Sequence, residues 1–137
     1  YFNLATQERL VVLTQEPTSL TDAYALIKVL KLSHGVERFK VCINMADDPK
    51  NAKNIFIRLH QACDNFLSGV SLDLVGIIPR DPGVRRAVLD QVPFCVNAPD
   101  SPAARSVTEL SLNIMAWDPP ENLDGNIKFF WKKLLFH

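Results

Sequence analysis

Apolar residues along the chain fall into two alternating kinds of segment. Three short runs, Leu10–Leu13, Phe39–Ile43 and Leu72–Ile78, are rich in branched residues and alternate only weakly. That is the pattern of strands covered on both faces of a parallel sheet. Between them the apolar positions recur with helical spacing. Leu20, Ala23, Tyr24, Ile27 and Leu30 follow one face of a helix, and Ile55, Leu59, Ala62 and Phe66 follow another at about 50–66. Ser19 is the expected N-cap of the first of these helices, with Asp22 three residues on completing a capping-box-like exchange, and His34-Gly35 is its expected stop.

Beyond the third run, "DPGVRRAVLDQ" places Pro82 at a helix start with Val84, Ala87 and Val88 on one face. "VPFCVNAPD" reads as a loop. In "SPAARSVTELSLNIM", Ser101 caps, Pro102 takes the first helical position, and Val107, Leu110 and Ile114 pack. Strand, helix, strand, helix, strand, helix, helix is the order of a right-handed parallel α/β arrangement. The expected fold is therefore α/β and three-layered, with a partial parallel sheet of about three strands and flanking helices. Three strands amount to half of a doubly wound domain. The chain opens on Tyr1, not methionine, and reads as a piece of a longer protein.

The final residues break this pattern. After Trp117 comes a polar, helix-hostile linker, "DPPENLDG", expected over 117–125, and then "NIKFFWKKLLFH" over 126–137. On a helical wheel Ile127, Phe130, Trp131, Leu134 and Leu135 form one stripe, flanked by Lys128, Lys132 and Lys133. A short, basic, aromatic-rich amphipathic helix suits the membrane interface. The same periodicity also suits a terminal helix folded back on its own core or a neighbour's.

Composition narrows the class of protein. The chain has 137 residues, 47% of them hydrophobic, with fifteen basic residues balancing fifteen acidic ones. This is one globular domain's worth of chain, and its zero net charge gives no support to a broad nucleic-acid surface. Cys42, Cys63 and Cys95 lack metal-ligand spacing, as do His34, His60 and His137, so buried reduced thiols are expected and no metal is assigned. There is no G-x-x-x-x-G-K-[ST], G-x-G-x-x-G or G-x-S-x-G, and no catalytic set is assigned.

Three loops at carboxyl ends of strands share the edge where open α/β sheets bind ligands. They are "TQEPTS", "NMADDPKN" with Asn44, Asp47 and Asp48, and "PRDPG" with Pro79, Arg80 and Asp81. An Asn amide carries both a donor and an acceptor, which suits an adenine edge. The alternatives are structural: Asn44 capping a turn, Asp47 and Asp48 capping the next helix, and Arg80–Asp81 as a solvated pair.

These residues also carry a resemblance. "VVLTQEPTSLTDAYALIKVL" resembles the mid-chain segment of the MinD/ParA-like deviant Walker ATPases, most closely the branch controlling flagellar number and placement in bacteria. "VGIIPRDPGVRRAVLDQVPFCVNAPDSPAARSV" resembles the same branch through Gly76, Ile78, Pro79, Asp81, Val84, Ala87, Gln91, Pro93, Pro99, Ser101 and Ala103. "NIKFFWKKLLFH" is similar to the membrane-targeting helix that often ends its members. The resemblance implies the C-terminal half of a P-loop NTPase-like fold, over 1–116. The parent would bind ATP with Mg²⁺, dimerise, and act at the inner-membrane surface with flagellar regulatory or assembly proteins, without direct nucleic-acid contact.

By that resemblance Asn44 would hydrogen-bond the base, Pro79, Arg80 and Asp81 would line it, and Glu16 and Ser19 would lie near the dimer face. Asp22 would fall in the neighbouring partner region. The family's Walker A loop and switch regions have no counterpart in these residues. Hydrolysis is thus expected of the parent alone, and no cofactor is expected bound to this chain by itself. A non-enzymatic interaction module with a degenerate nucleotide fold, or a cell-division or partitioning ATPase, are the alternatives.

Overall fold

The computed structural model describes residues 9–116. In chain order they form β1 (Leu10–Leu13), α1 (Pro17–His34), β2 (Arg38–Ala46), α2 (Pro49–Phe66), β3 (Ser71–Pro79), α3 (Pro82–Asp90), α4 (Phe94–Asn97) and α5 (Pro102–Met115). The three strands run parallel in the order β1-β2-β3. The expected α/β half-sheet is therefore present, with β2 and β3 extending beyond their predicted ends. The expected linker and the basic terminal helix lie outside the described residues.

Alternation along the strands distributes side chains to two faces. Val11, Leu13, Phe39, Val41, Ile43 and Leu72 join Ile27, Leu30, Ile55, Leu59 and Cys63 in the main core under α1 and α2. Cys42, Val75 and Leu110 form a second cluster on the opposite face, where α5 packs along β3. Helices on both faces make the three layers, and β2 is fully buried at Val41, Cys42 and Ile43. Val12, on the second face of edge strand β1, is 54% exposed because α5 lies over β3 and not over β1.

Glycine permits the closest approach. A Cβ at Gly76 would stand 3.2 Å from Leu110 Cδ1 and 3.5 Å from Cys42 Sγ, so only glycine lets α5 settle onto β3 unhindered. One turn on along α5, Asn113 Nδ2 donates to the Val75 carbonyl at 3.0 Å. Gly35, at φ 68°, closes α1 as expected, with its N–H donating to the carbonyls of Leu30 and Lys31.

Helix boundaries correct the sequence reading in four places. First, α1 begins at Pro17 with Glu16 as N-cap, because proline's fixed φ suits the first helical position. Ser19 already lies within the helix, and its hydroxyl instead accepts from Thr14 N at 2.9 Å; Asp22 is exposed. Second, the buried stripe of α2 ends on Cys63 and Leu67 while Phe66 is 75% exposed; Asp48 does cap this helix, through Asn51 N at 2.8 Å, as the structural alternative had it.

Third, nine-residue α3 buries only Ala87, leaving Val88 exposed, and 92–100 contains the short helix α4. Fourth, Ile114 is 38% exposed near the end of α5, although Leu110 packs as expected. Ser101 does cap α5, accepting from Ala104 N at 3.2 Å.

The cysteines divide as well. Cys42 and Cys63 are buried, and burial pushes both thiols up to about 11, while Cys95 is exposed. Iodoacetamide at pH 8 should therefore label native protein at Cys95 first, with Cys42 and Cys63 following only on denaturation. Equal labelling of all three by peptide mass mapping would contradict this packing. Leu59→Ala, emptying a fully buried position between α2 and the sheet, should cost about 2–5 kcal/mol in urea unfolding.

Candidate functional site

Parallel strands deliver their carboxyl ends, and the loops that follow, to one edge of the sheet. Here a line of polar contacts joins all three loops. Gln15, after β1, donates Nε2 to Asp47 Oδ2 at 3.4 Å, and its Oε1 accepts from Asp47 N. Arg80, after β3, donates Nε to Asp47 Oδ1 at 3.0 Å. Asp47 is thus a bridge between loops and not a helix cap. Both ends of the Arg80–Asp47 pair are solvent-exposed, so it orders the loops more than it stabilises the fold.

Between β2 and β3 the ladder is irregular. Register shifts fall between Val41 and Cys42 and between Ile43 and Ala46. Within the second, Met45 adopts a left-handed φ of 51°, uncommon for a residue with a side chain. Its N–H donates to the Asn44 Oδ1 atom at 2.9 Å, which helps to hold the bend. Strain of this kind concentrates at functional sites, and a bulge re-aims the side chains beside it.

A cavity of about 790 Å³ opens at this bulge. Asn44 and Met45 line it from β2, Ile78 and Pro79 from β3, and Arg80, Asp81 and Pro82 from the turn into α3. Val84 and Arg85 of α3, Phe94 and Cys95 of α4, and Val107 of α5 complete the wall. Mostly apolar walls with a few convergent polar groups suit a flat heterocycle better than a charged metabolite. With its Oδ1 engaged by Met45, Asn44 retains two amide N–H donors for a ligand.

Asp81 is less available. Its Oδ1 accepts from Gly83 N at 2.9 Å, and its Oδ2 from Ala103 N at 3.1 Å. The Ala103 and Gly83 amides, helped by the Ser101 hydroxyl, hold its carboxyl below the ordinary carboxylate range. Among the described residues no cluster of His, Cys, Asp or Glu could hold a metal ion.

Asn44, Pro79, Arg80 and Asp81, singled out from sequence, thus come together on one cavity. Glu16, Ser19 and Asp22 do not line it; they lie at the start of α1, beside Gln15, whose side chain bonds Asp47. Ile127, Lys128, Phe130, Trp131, Lys132, Lys133, Leu134 and Leu135 lie outside the described residues. No described helix is long and apolar enough to cross a membrane. Sequence reasoning missed Met45, Phe94 and Cys95. An Asn followed by a bulky residue inside a strand gave no warning of a bulge, and "PFCVN" is too short for helical periodicity to register.

The chain is 42% identical over 136 residues to antiactivator FleN of Pseudomonas aeruginosa, matching 99% of this chain and 48% of FleN. It is 26% identical over 131 residues to the flagellum site-determining protein YlxH of Helicobacter pylori, across 91% of this chain and 43% of YlxH. The chain therefore spans about half the length of these curated relatives. No family model matches.

Its fold superimposes on the septum site-determining protein MinD of Pyrococcus horikoshii, solved with Mg-ADP, at a TM-score of 0.59 and 22% identity. That alignment takes in 81% of this chain and 42% of that one. The cell-division ATPase MinD of Pyrococcus furiosus gives the same TM-score at 24% identity, over 82% and 44%. Sequence kinship with FleN and YlxH and fold kinship with MinD agree, and together they support a MinD/ParA-like flagellar-regulator segment.

Proposed function

We propose that this chain is the C-terminal, base-recognising half of a MinD-like ATPase that regulates flagellar number or placement, and that adenine occupies the cavity at the carboxyl edge of its sheet. The observation that carries this reading is the convergence of Asn44 with the Pro79–Pro82 turn on one largely apolar cavity. It lies where doubly wound sheets bind ligands. Asn44 reads the base edge through its amide, Pro79 and Arg80 form the rim, and Met45, Ile78, Phe94 and Val107 supply the apolar faces.

ATP, Mg²⁺ and hydrolysis belong to the parent, since no glycine-rich phosphate loop occurs in this sequence. Residues 1–116 form the body of this half, with 117–125 as linker and 126–137 as the membrane-targeting helix. In the parent, Glu16, Ser19 and Asp22 lie on the face used by the second subunit or by flagellar partners. The site of action is the cytoplasmic side of the inner membrane.

Titrating adenosine into the ¹⁵N-labelled 137-residue chain should move the amide signals of Met45, Arg80, Cys95 and Val107 at millimolar concentration. Asn44→Ala should weaken binding by about three- to tenfold, the range for one hydrogen bond. No shifts at these amides would remove the base-pocket reading. ATP should bind no more tightly than adenosine, and micromolar ATP affinity by calorimetry would show that this chain holds phosphates after all. For the tail, the intact chain should sediment with anionic phosphatidylglycerol vesicles and a 1–120 truncation should not; equal sedimentation would refute the membrane role.

A further inference from the structure

Two helices begin at the carboxyl end of β3, and their backbone demands meet in one side chain. Asp81 is the N-cap of α3, and its Oδ1 accepts from Gly83 N. Its other oxygen reaches 22 residues along the chain to Ala103 N, in the first turn of α5. The first turn of α5 explains why. Pro102 has no N–H, and the Ser101 hydroxyl accepts from Ala104 N, which leaves Ala103 as the donor that the helix's own cap does not serve. Gly83 makes room for the arrangement: a Cβ there would lie 3.2 Å from Asp81 Oδ1.

Each helix is also a wall of the cavity. The turn into α3 and α3 itself give Arg80, Pro82 and Val84, and α5 gives Val107, one turn beyond Ala103. We propose that Asp81 is a positioning residue of the cavity: its carboxylate, occupied on both oxygens by backbone N–H groups, ties α3 to α5 and so fixes the distance between the two walls that enclose the ligand. Its consequence for nucleotide rests on the base-pocket reading above. The clamp itself does not.

The test uses the 137-residue chain. Asp81→Ser supplies a good N-cap for α3 but has no second oxygen for Ala103. It should leave the far-ultraviolet circular dichroism and α3 amide exchange unchanged, and raise exchange at Ala103 and the first turn of α5 about tenfold or more. Adenosine affinity should fall several-fold. Asp81→Asn, which keeps one carbonyl oxygen, serves if the serine variant fails to fold and should loosen α5 in the same way.

Purine riboside, which lacks the exocyclic amino group of adenosine, separates positioning from contact. A positioning role predicts the same fold-loss for both nucleosides in the variant. A carboxylate that touches the amino group predicts a loss confined to adenosine, and that result would overturn the proposal. Unchanged exchange in α5 would overturn it as well. Should the unaltered chain bind no adenosine, the base-pocket reading falls, and the exchange measurement still decides the clamp.

Discussion

The first turn of a helix presents backbone N–H groups that no residue within the helix can satisfy. At the carboxyl end of β3 two such turns come together, and one carboxylate answers both. The positive ends of two helix dipoles favour the ionised form of Asp81, in keeping with its lowered pKa. The rest of the second face depends on this junction. Held there, α5 runs along β3 with Leu110 against Gly76 and Asn113 on the Val75 carbonyl. Without α5, Cys42 and Val75 would face water on a parallel sheet that requires cover on both sides.

The cavity is a by-product of the same geometry and of a departure from it. A regular β2 would continue its ladder with β3 to the last residue and leave no gap. Instead the register slips around Asn44 and Met45, at the cost of a left-handed φ on a bulky residue. Such a conformation costs on the order of 1 kcal/mol or more and persists only when its surroundings impose it. Here part of the imposing is done by the Asn44 side chain, which bonds Met45 N and leaves its own amide donors free. The bend and the candidate ligand contact are therefore one device.

Much of the architecture is legible in the sequence because double-covered strands appear as short apolar runs, and because proline and serine mark the start of α5. The errors share a physical cause. Ser19 looked like a cap because hydroxyls are good caps, yet Pro17 can begin a helix earlier, and the hydroxyl then serves Thr14. Val88 follows helical spacing in α3, but a nine-residue helix packed through Ala87 alone has no room for a wider buried stripe. Asn44 and the Pro79–Asp81 turn were legible as a shared edge, since parallel strands leave no other place for their loops. The part played by Asp81 was not legible, because its second partner lies 22 residues away and only the packing of α5 brings them together.

This division bears on what half of such a fold can do alone. A base is recognised by shape and a few hydrogen bonds, and in the pocket proposed above these would come from the apolar cavity walls and the Asn44 amide at one edge of three strands. Phosphates are held by runs of backbone N–H groups in glycine-rich loops and by cations, and neither a suitable loop nor a metal-binding cluster is offered by the described residues. Most of the affinity for a nucleoside triphosphate resides in that charged end, while its identity is read at the base. On the proposed reading, a chain carrying only the base edge would discriminate between nucleosides without binding any of them tightly. On that reading, coupling between the two ends of a nucleotide would have to pass through strand and loop contacts at the edge of this sheet. The Gln15–Asp47–Arg80 line crosses the edge of the sheet from β3 to β1, the two strands whose outer sides are unpaired among the described residues.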